Sequence, residues 1–188
     1  MPRAGLTQTR VLEEAQRLAD DVGLSQLTLA ALAARLGVRQ PSLYKHIDGI
    51  DALHRGLAIR AKHELADILA RAAIGRERGE AITAIAHAYR AWAHRHPGRY
   101  AAAQHAPAAD DAEDIAASTT AVSVVIAVLD GYQLRDDDAI DATRALRSAL
   151  HGFVTLELDG AFGLPVDIDR SYERLVRGLA TALANWTE

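Results

Sequence analysis

The chain has 188 residues, 49% of them hydrophobic and 24% charged, so it is large and apolar enough to bury a core and disorder is excluded as a global description. It contains no cysteine, which excludes disulfides, thiolate nucleophiles and zinc–thiolate sites. The net charge is −4, yet residues 1–60 carry eight Lys or Arg against six acids, an asymmetry typical of a small DNA-binding head on an acidic body.

Helical periodicity runs through the whole chain without strand-like alternation, so the sequence predicts an all-α protein of about nine helices. Thr7 is placed to cap the first helix, which extends to Val22 and ends at Gly23. Thr28 caps a short second helix that ends at Gly37. These signals predict two helices separated by a tight connection.

The third and fourth helices follow directly. Pro41 suits the first turn of the third, because its missing N–H would have no partner there. Asp48-Gly49 ends it and opens a long fourth helix over about residues 50–74. Further helices are predicted over residues 80–96, 99–105, 110–134, 136–159 and from Asp169 onward. We therefore predict a helix-turn-helix DNA-binding domain over 1–50, a connecting helix over about 50–74 and a second helical domain over 75–188.

The functional motif lies in residues 28–46, which read TLAALAARLGVRQPSLYKH. Two short helices joined by a glycine-containing turn predict a helix-turn-helix. Gly37 allows the turn a backbone conformation that a side chain would oppose, and Leu32, Val38 and Leu43 are expected to fix the angle between the helices. The outer side of the second helix is polar, so it can enter a DNA major groove.

This motif resembles the tetracycline-repressor (TetR) family of bacterial regulators. The resemblance rests on Leu27-Thr28, Ala33, Leu36-Gly37-Val38, Pro41-Ser42-Leu43-Tyr44-Lys45-His46 and Leu53, and segments of one family branch resemble His96-Pro97-Gly98-Arg99-Tyr100 and His151-Gly152-Phe153. It implies a cytoplasmic repressor with three partners: double-stranded DNA carrying a palindromic operator, a small-molecule effector, and a second copy of the chain.

The resemblance also assigns DNA contacts. It gives Thr28 a phosphate contact, places Gln40 near base edges and lets Lys45 reach bases or phosphates. The full set of expected DNA-binding residues is Thr28, Arg39, Gln40, Pro41, Ser42, Tyr44, Lys45 and His46. The sequence departs from the family in two ways: Ile50 stands where a phosphate-binding lysine is common, and Ala30-Ala31 offers no side chain for a base contact. Arg3, in an N-terminal arm, is a candidate to compensate in the minor groove.

The body is expected to dimerise and to bind the effector. Apolar side chains at helical spacing on the last two helices predict a four-helix interface formed by Leu146, Leu150, Val154, Leu158, Tyr172, Leu175, Leu179 and Leu183. Aromatic and polar residues of the body are candidates to line the pocket, namely Tyr89, Trp92, His96, Tyr100, Gln104, His105, His151 and Phe153.

Other classes of function fit the sequence less well. It has no G-x-S-x-G, H-E-x-x-H, G-x-G-x-x-G or P-loop pattern, so no enzyme and no cofactor are expected. His87, His94 and His96 raise the alternative of a metal sensor, but no cysteine or neatly spaced carboxylate joins them, and no metal is expected. A helical interaction module without DNA binding and a transcriptional activator of the same fold both stay open.

The N-terminus and the hydropathy also fit the expected cytoplasmic location. The first ten residues lack an apolar stretch after the basic ones, so no signal peptide is expected. The most apolar stretch, Ala121–Leu129, is shorter than the ~20 residues that span a bilayer, so no membrane partner is expected.

Overall fold

The computed structural model describes residues 6–186, and this part of the chain is helical and contains no strand. Its eight α-helices are α1 (Gln8–Val22), α2 (Leu29–Leu36), α3 (Ile50–Ala73), α4 (Arg78–Arg95), α5 (Pro97–Ala103), α6 (Ala112–Asp130), α7 (Asp136–Leu158) and α8 (Ile168–Ala184). Two short 3-10 segments, Leu24–Gln26 and Gln40–Lys45, lie between the first three α-helices. The predicted all-α class is confirmed.

The predicted helix starts at Thr7 and Thr28 are confirmed by their cap geometry. The Thr7 hydroxyl oxygen accepts a hydrogen bond from the Arg10 amide at 3.2 Å, and the Thr28 hydroxyl oxygen accepts one from the Ala31 amide at 3.1 Å. Each cap satisfies a backbone donor that the first turn of a helix leaves unpaired. The cap at Thr28 begins the segment that carries the motif.

The helix predicted at Pro41 is a 3-10 segment rather than an α-helix. The Ser42 amide donates to the Arg39 carbonyl at 2.9 Å and the His46 amide to the Leu43 carbonyl at 2.8 Å, which is the three-residue spacing of a 3-10 helix. Six residues with a proline at the start leave few α-type hydrogen bonds to be made, so the tighter turn is adopted.

Several other helix boundaries differ by a few residues from the sequence-based expectation, and two of them have a clear local reason. The sequence predicts that Pro97 lies between two helices, but in the structure it is the first residue of α5. Its missing N–H costs nothing there, because the first residues of a helix have no intrahelical acceptor. Helix α6 ends at Asp130, four residues earlier than expected, because Gly131–Gln133 form a turn in which Gln133 has a φ of 64°.

The helices pack into two compact units. The first consists of the chain up to His63 together with Arg95–Ser118, so it contains α1, α2, the first part of α3, α5 and the start of α6. Its core includes the fully buried side chains of Val11, Leu32, Leu43 and Leu53. The functional division predicted from the sequence, at residues 50 and 75, stays a prediction.

The second unit consists of Glu64–His94 and the chain from Thr119 onward. Tyr172 of α8 is its largest fully buried side chain, and its hydroxyl donates a hydrogen bond to the Ala86 carbonyl at 2.7 Å. A buried tyrosine needs such a partner, because an unpaired hydroxyl in a core costs about 1–3 kcal/mol. The bond therefore holds α8 against α4 within this unit.

Helix α6 is unusually apolar. Among residues 6–186 it is the one helix whose length and composition would suffice to cross a membrane, with a mean hydropathy of 1.6 over 18 residues, of which 17% are buried. A single helix that passes a test of length and composition is weak support for membrane insertion.

Candidate nucleic-acid interface

The turn between α2 and the 3-10 segment Gln40–Lys45 is closed by backbone hydrogen bonds. Gly37 has a φ of 67°, in the left-handed region, and its amide donates to the Ala34 carbonyl at 3.1 Å. The Val38 amide donates to the Ala33 carbonyl at 3.0 Å. Only glycine adopts this conformation without steric cost, so the sequence-based reason for Gly37 is confirmed.

The 3-10 segment Gln40–Lys45 has one buried apolar side and one exposed polar side. Leu43 is fully buried, and Ile47 just beyond it is 5% exposed, so these two side chains tie the segment to the core of the first unit. The residues predicted to contact DNA surround this anchor and form what we call the reading surface: Thr28, Arg39, Gln40, Pro41, Ser42, Tyr44, Lys45 and His46. Ser42 and His46 are half-buried and the other six are exposed.

Several basic side chains of the first 60 residues are already engaged by neighbouring side chains. Arg17 pairs with Glu14 at 2.9 Å, and Arg60 hydrogen-bonds Gln16 at 3.0 Å. Among residues 6–60, Arg39 and Lys45 are exposed basic side chains with no hydrogen-bond or ion-pair partner. The reading surface therefore carries unpaired positive charge. Binding to the anionic phosphate backbone of DNA requires such charge.

Arg35 braces α2 against α1. Its guanidinium reaches Glu14 at 2.5 Å and Asp21 at 2.6 Å, so one α2 side chain spans two acids of α1. The hydrogen bond from Arg35 lowers the pKa of Glu14 below its ordinary value, more than burial raises it. These ion pairs link α2 to α1 and engage the Arg35 guanidinium within the first unit.

Helix α5 packs directly on the end of α1. A Cβ atom placed on Gly98 would lie 2.1 Å from the Ala19 carbonyl carbon and 2.2 Å from its oxygen, so the two backbones touch. The Asp20 carboxylate accepts a hydrogen bond from the Arg99 amide at 3.0 Å and faces the His96 imidazole at 3.1 Å. The segment His96–Tyr100, which resembles a segment of one family branch, thus docks on α1.

The start of α6 is held to α3 by charge. Arg55 contacts both carboxylate oxygens of Asp111, at 2.5 and 2.7 Å, and lowers the pKa of Asp111 to about 2. Farther along α3, the Lys62 ammonium lies 2.6 Å from an Asp114 carboxylate oxygen, and the two side chains are only 5% and 6% exposed. This pair is not among the features predicted from the sequence, although a lysine beside Ala61 and Leu65, within an apolar stripe, was a detectable signal.

The predicted pocket residues divide between the two units. Tyr89, Trp92, His151 and Phe153 lie in the second, and His96, Tyr100, Gln104 and His105 in the first. Trp92 is 4% exposed and its indole donates to Glu64 at 3.1 Å. Phe153 packs its ring 4.8 Å from that of Phe162, so it also belongs to an aromatic cluster. The assignment of these eight residues to an effector pocket stays a prediction.

The three histidines considered for metal binding each face a carboxylate. His87 lies 3.3 Å from Glu173 and His94 lies 2.9 Å from Glu157, acids contributed by α8 and α7. Spacing along the chain could not reveal these partners, because they come from other helices. Within residues 6–186, no three His, Asp or Glu side chains are placed to hold a metal ion.

The predicted dimer residues differ in their burial. Five of them are 0–5% exposed within a single protomer, so they pack mainly in its own core: Leu146, Leu150, Val154, Tyr172 and Leu183. Their assignment to a dimer interface stays a prediction. An amphipathic helix turns its apolar stripe toward the nearest core, and here that core is its own unit. Leu158, Leu175 and Leu179 are half-buried, and their role in a dimer stays a prediction.

Family comparisons match both parts of the chain. Residues 11–55 match the family described as bacterial regulatory proteins, tetR family, and residues 82–179 match the tetracyclin repressor-like C-terminal domain. An HTH-type transcriptional regulator of Mycobacterium tuberculosis, Rv0681, is 40% identical over 185 residues, which cover 98% of this chain and 84% of that protein. The regulator YobS of Bacillus subtilis is 36% identical over 182 residues, covering 97% of this chain and 95% of that protein.

The fold has solved counterparts. A TetR variant from Acinetobacter baumannii AYE, crystallised in complex with minocycline, aligns with a TM-score of 0.73 at 21% identity and covers 98% of this chain and 99% of that one. An identity this low shows a shared fold and nothing finer.

Proposed function

The chain belongs to the TetR family of helix-turn-helix transcriptional regulators, and from this we propose that it is a homodimeric repressor, released from a palindromic operator by a small-molecule effector. The observation that supports it most is the reading surface. Arg39 and Lys45 carry free charge there, and the side chains of Gln40, Ser42 and Tyr44 have no partner within residues 6–186. Such a repressor would act in the cytoplasm beside the DNA it regulates.

Each side chain of the reading surface has a chemically suitable role. Gln40 can bond an adenine edge through two hydrogen bonds, and Arg39 can do the same with guanine. The Thr28 oxygen already accepts a bond from the Ala31 amide, so its hydroxyl proton is left to donate to a phosphate. Ile50, at the start of α3, is half-buried and uncharged, so we propose that Lys45 supplies the phosphate contact that Ile50 cannot make.

Dimerisation through α7 and α8 would use those faces of the two helices that are not buried in the core of the protomer. On α8 a shallow depression is lined by Arg174, Arg177, Gly178, Thr181, Ala182 and Asn185, which includes small residues that let a partner helix approach closely. On α7, Ile140 and Leu156 are 44% and 48% exposed. A two-fold dimer would place two reading surfaces on half-sites about 34–36 Å apart.

We propose that the effector binds in the C-terminal body. The solved TetR variant with minocycline supports this only in showing that a protein of this fold holds a small molecule. An effector that favours a non-binding state by ~1–3 kcal/mol would weaken operator affinity ~5–150-fold, and operator would weaken effector affinity equally. Helix α3 continues from the first unit into the second, which makes it the natural element to transmit the change.

Selection from random duplex DNA tests the proposed function. We expect the purified protein to enrich a palindrome whose half-sites are separated by about one helical turn, because one motif makes too few contacts to choose a site. Binding should weaken steeply with salt. An effector-free protein that retains no duplex even at low ionic strength would instead support the interaction-module alternative, and binding that raises transcription would identify an activator.

Exchanging Gln40 for alanine should relax base preference at one position in each half-site, by about tenfold, because the variant cannot form the two hydrogen bonds to a base edge. Sequencing of selected pools against the parent protein measures this. The matched variant Lys45→Ala should weaken all sequences alike and lower the salt slope by about 0.9 for each phosphate that it no longer neutralises. Equal weakening on every sequence by Gln40→Ala would refute the base-reading role of Gln40.

A further inference from the structure

The chain contains two lysines, Lys45 and Lys62, and they stand in opposite environments. Lys45 is the last residue of the 3-10 segment and is exposed, with no hydrogen-bond or ion-pair partner among residues 6–186. Lys62 is 4% exposed and its ammonium contacts the buried Asp114 carboxylate at 2.6 Å. A reagent that acts on lysine amines from solvent therefore meets one accessible side chain.

The surroundings of Lys45 favour anionic reagents. The stretch from Leu36 to Asp48 contains one acidic residue, the exposed Asp48, against two free cations, Arg39 and Lys45. Activated acyl groups travel in cells as acyl phosphates and as thioesters of a phosphorylated carrier, both of which are negatively charged. A local excess of positive charge raises the concentration of such anions near the amine.

We propose that Lys45 is a modification site for an acyl group delivered by an acyl phosphate or an acyl thioester, and that this modification releases the protein from DNA. The unprotonated Nζ attacks the acyl carbonyl carbon and forms a C–N bond. The C–O bond of the phosphate donor, or the C–S bond of the thioester, breaks and its electron pair leaves on phosphate or thiolate. The surplus amine proton passes to water, and nothing is oxidised or reduced.

The product is a neutral amide, so the reading surface has one free cation fewer in each protomer. This consequence for DNA rests on the proposed function, whereas the selectivity between the two lysines does not. The charged hydrogen bond from Lys45 to phosphate disappears at both half-sites of a dimer. We expect affinity to fall at least about tenfold, and the salt slope to fall by about 0.9 for each phosphate that Lys45 no longer neutralises.

The experiment treats the full-length protein with acetyl phosphate in one arm and acetyl-CoA in the other, and follows both lysines by peptide mass spectrometry. We expect acetylation of Lys45 to exceed that of Lys62 by at least about tenfold in the folded protein, because burial withholds Lys62 from the reagent. Urea should abolish the difference, and selected operator DNA should protect Lys45. The arm that reacts identifies the donor class.

Variants of Lys45 separate the acylation of this lysine from its effect on DNA binding. Lys45→Arg has no amine to acylate at this position, so the reagent should not change its DNA affinity from the value of the untreated variant, whereas Lys45→Gln should bind as weakly as the acetylated protein. Equal labelling of both lysines, labelling of neither, or a fall in DNA binding by treated Lys45→Arg would overturn the proposal. If the untreated protein binds no duplex, the proposed function fails. Mass spectrometry of the two lysines still shows in that case whether Lys45 is acetylated in preference to Lys62.

Discussion

Replacing Lys62 with methionine is expected to lower the free energy of unfolding by about 3–5 kcal/mol, because it leaves the Asp114 carboxylate buried without a cation. Asp114 is 4% exposed, and Lys62 contacts it at 2.6 Å. Chemical denaturation at a fixed protomer concentration measures the change, which is a large share of the ~5–15 kcal/mol that stabilises a typical protein.

Two matched variants show whether burial is the cause. Lys62→Met combined with Asp114→Leu removes both charges and should regain most of the stability or exceed the parent, because apolar residues of similar volume often replace a buried ion pair at no cost. Arg144→Ala breaks the exposed pair between Arg144 and Asp141, whose side chains are 76% and 63% exposed, and should cost less than about 1 kcal/mol. A double variant as unstable as Lys62→Met alone would contradict this account.

Gly98→Ala is the second substitution with a large expected effect. The added methyl group would lie 2.1 Å from the Ala19 carbonyl carbon and 2.6 Å from the Asp20 amide nitrogen, and neither backbone atom can rotate away as a side chain would. Helix α5 must therefore shift from α1, which strains the hydrogen bond from Arg99 to Asp20. We expect a destabilisation of roughly 3 kcal/mol, at the upper end for overpacked cores. Thermal unfolding measures it.

The control is Ala101→Gly, which exchanges the same two residue types in the same helix in the opposite direction. Ala101 is half-buried, so its replacement removes a methyl group without creating a clash. It should cost only about 0.5–1 kcal/mol, the usual penalty for glycine within a helix. A Gly98→Ala protein as stable as Ala101→Gly would mean that α5 does not approach α1 as closely as the structure shows.

Local chemistry determined much of this protein in advance. The caps at Thr7 and Thr28 and the turn at Gly37 involve groups within a few residues of one another, so sequence alone predicts them and the structure confirms them. The same holds within the 3-10 segment, where the side chain of Leu43 is buried and that of Gln40 is exposed. A short helix that packs on a core has one apolar side, so the sequence indicates which residues face inward. The helix-turn-helix was predicted from these local signals, and the family from the resemblance of residues 27–53 to its motif.

Other features depended on which helices meet, and periodicity does not contain that information. The stripe that includes Leu150 and Val154 could bury its apolar surface against a partner copy or against its own core, and only the folded chain shows that these two side chains are 5% and 0% exposed within the protomer. Packing likewise placed α5 on α1, and it brought Lys62 to Asp114 across 52 residues of chain. Charges and close contacts between distant segments depend on three-dimensional distance, which only the folded chain defines.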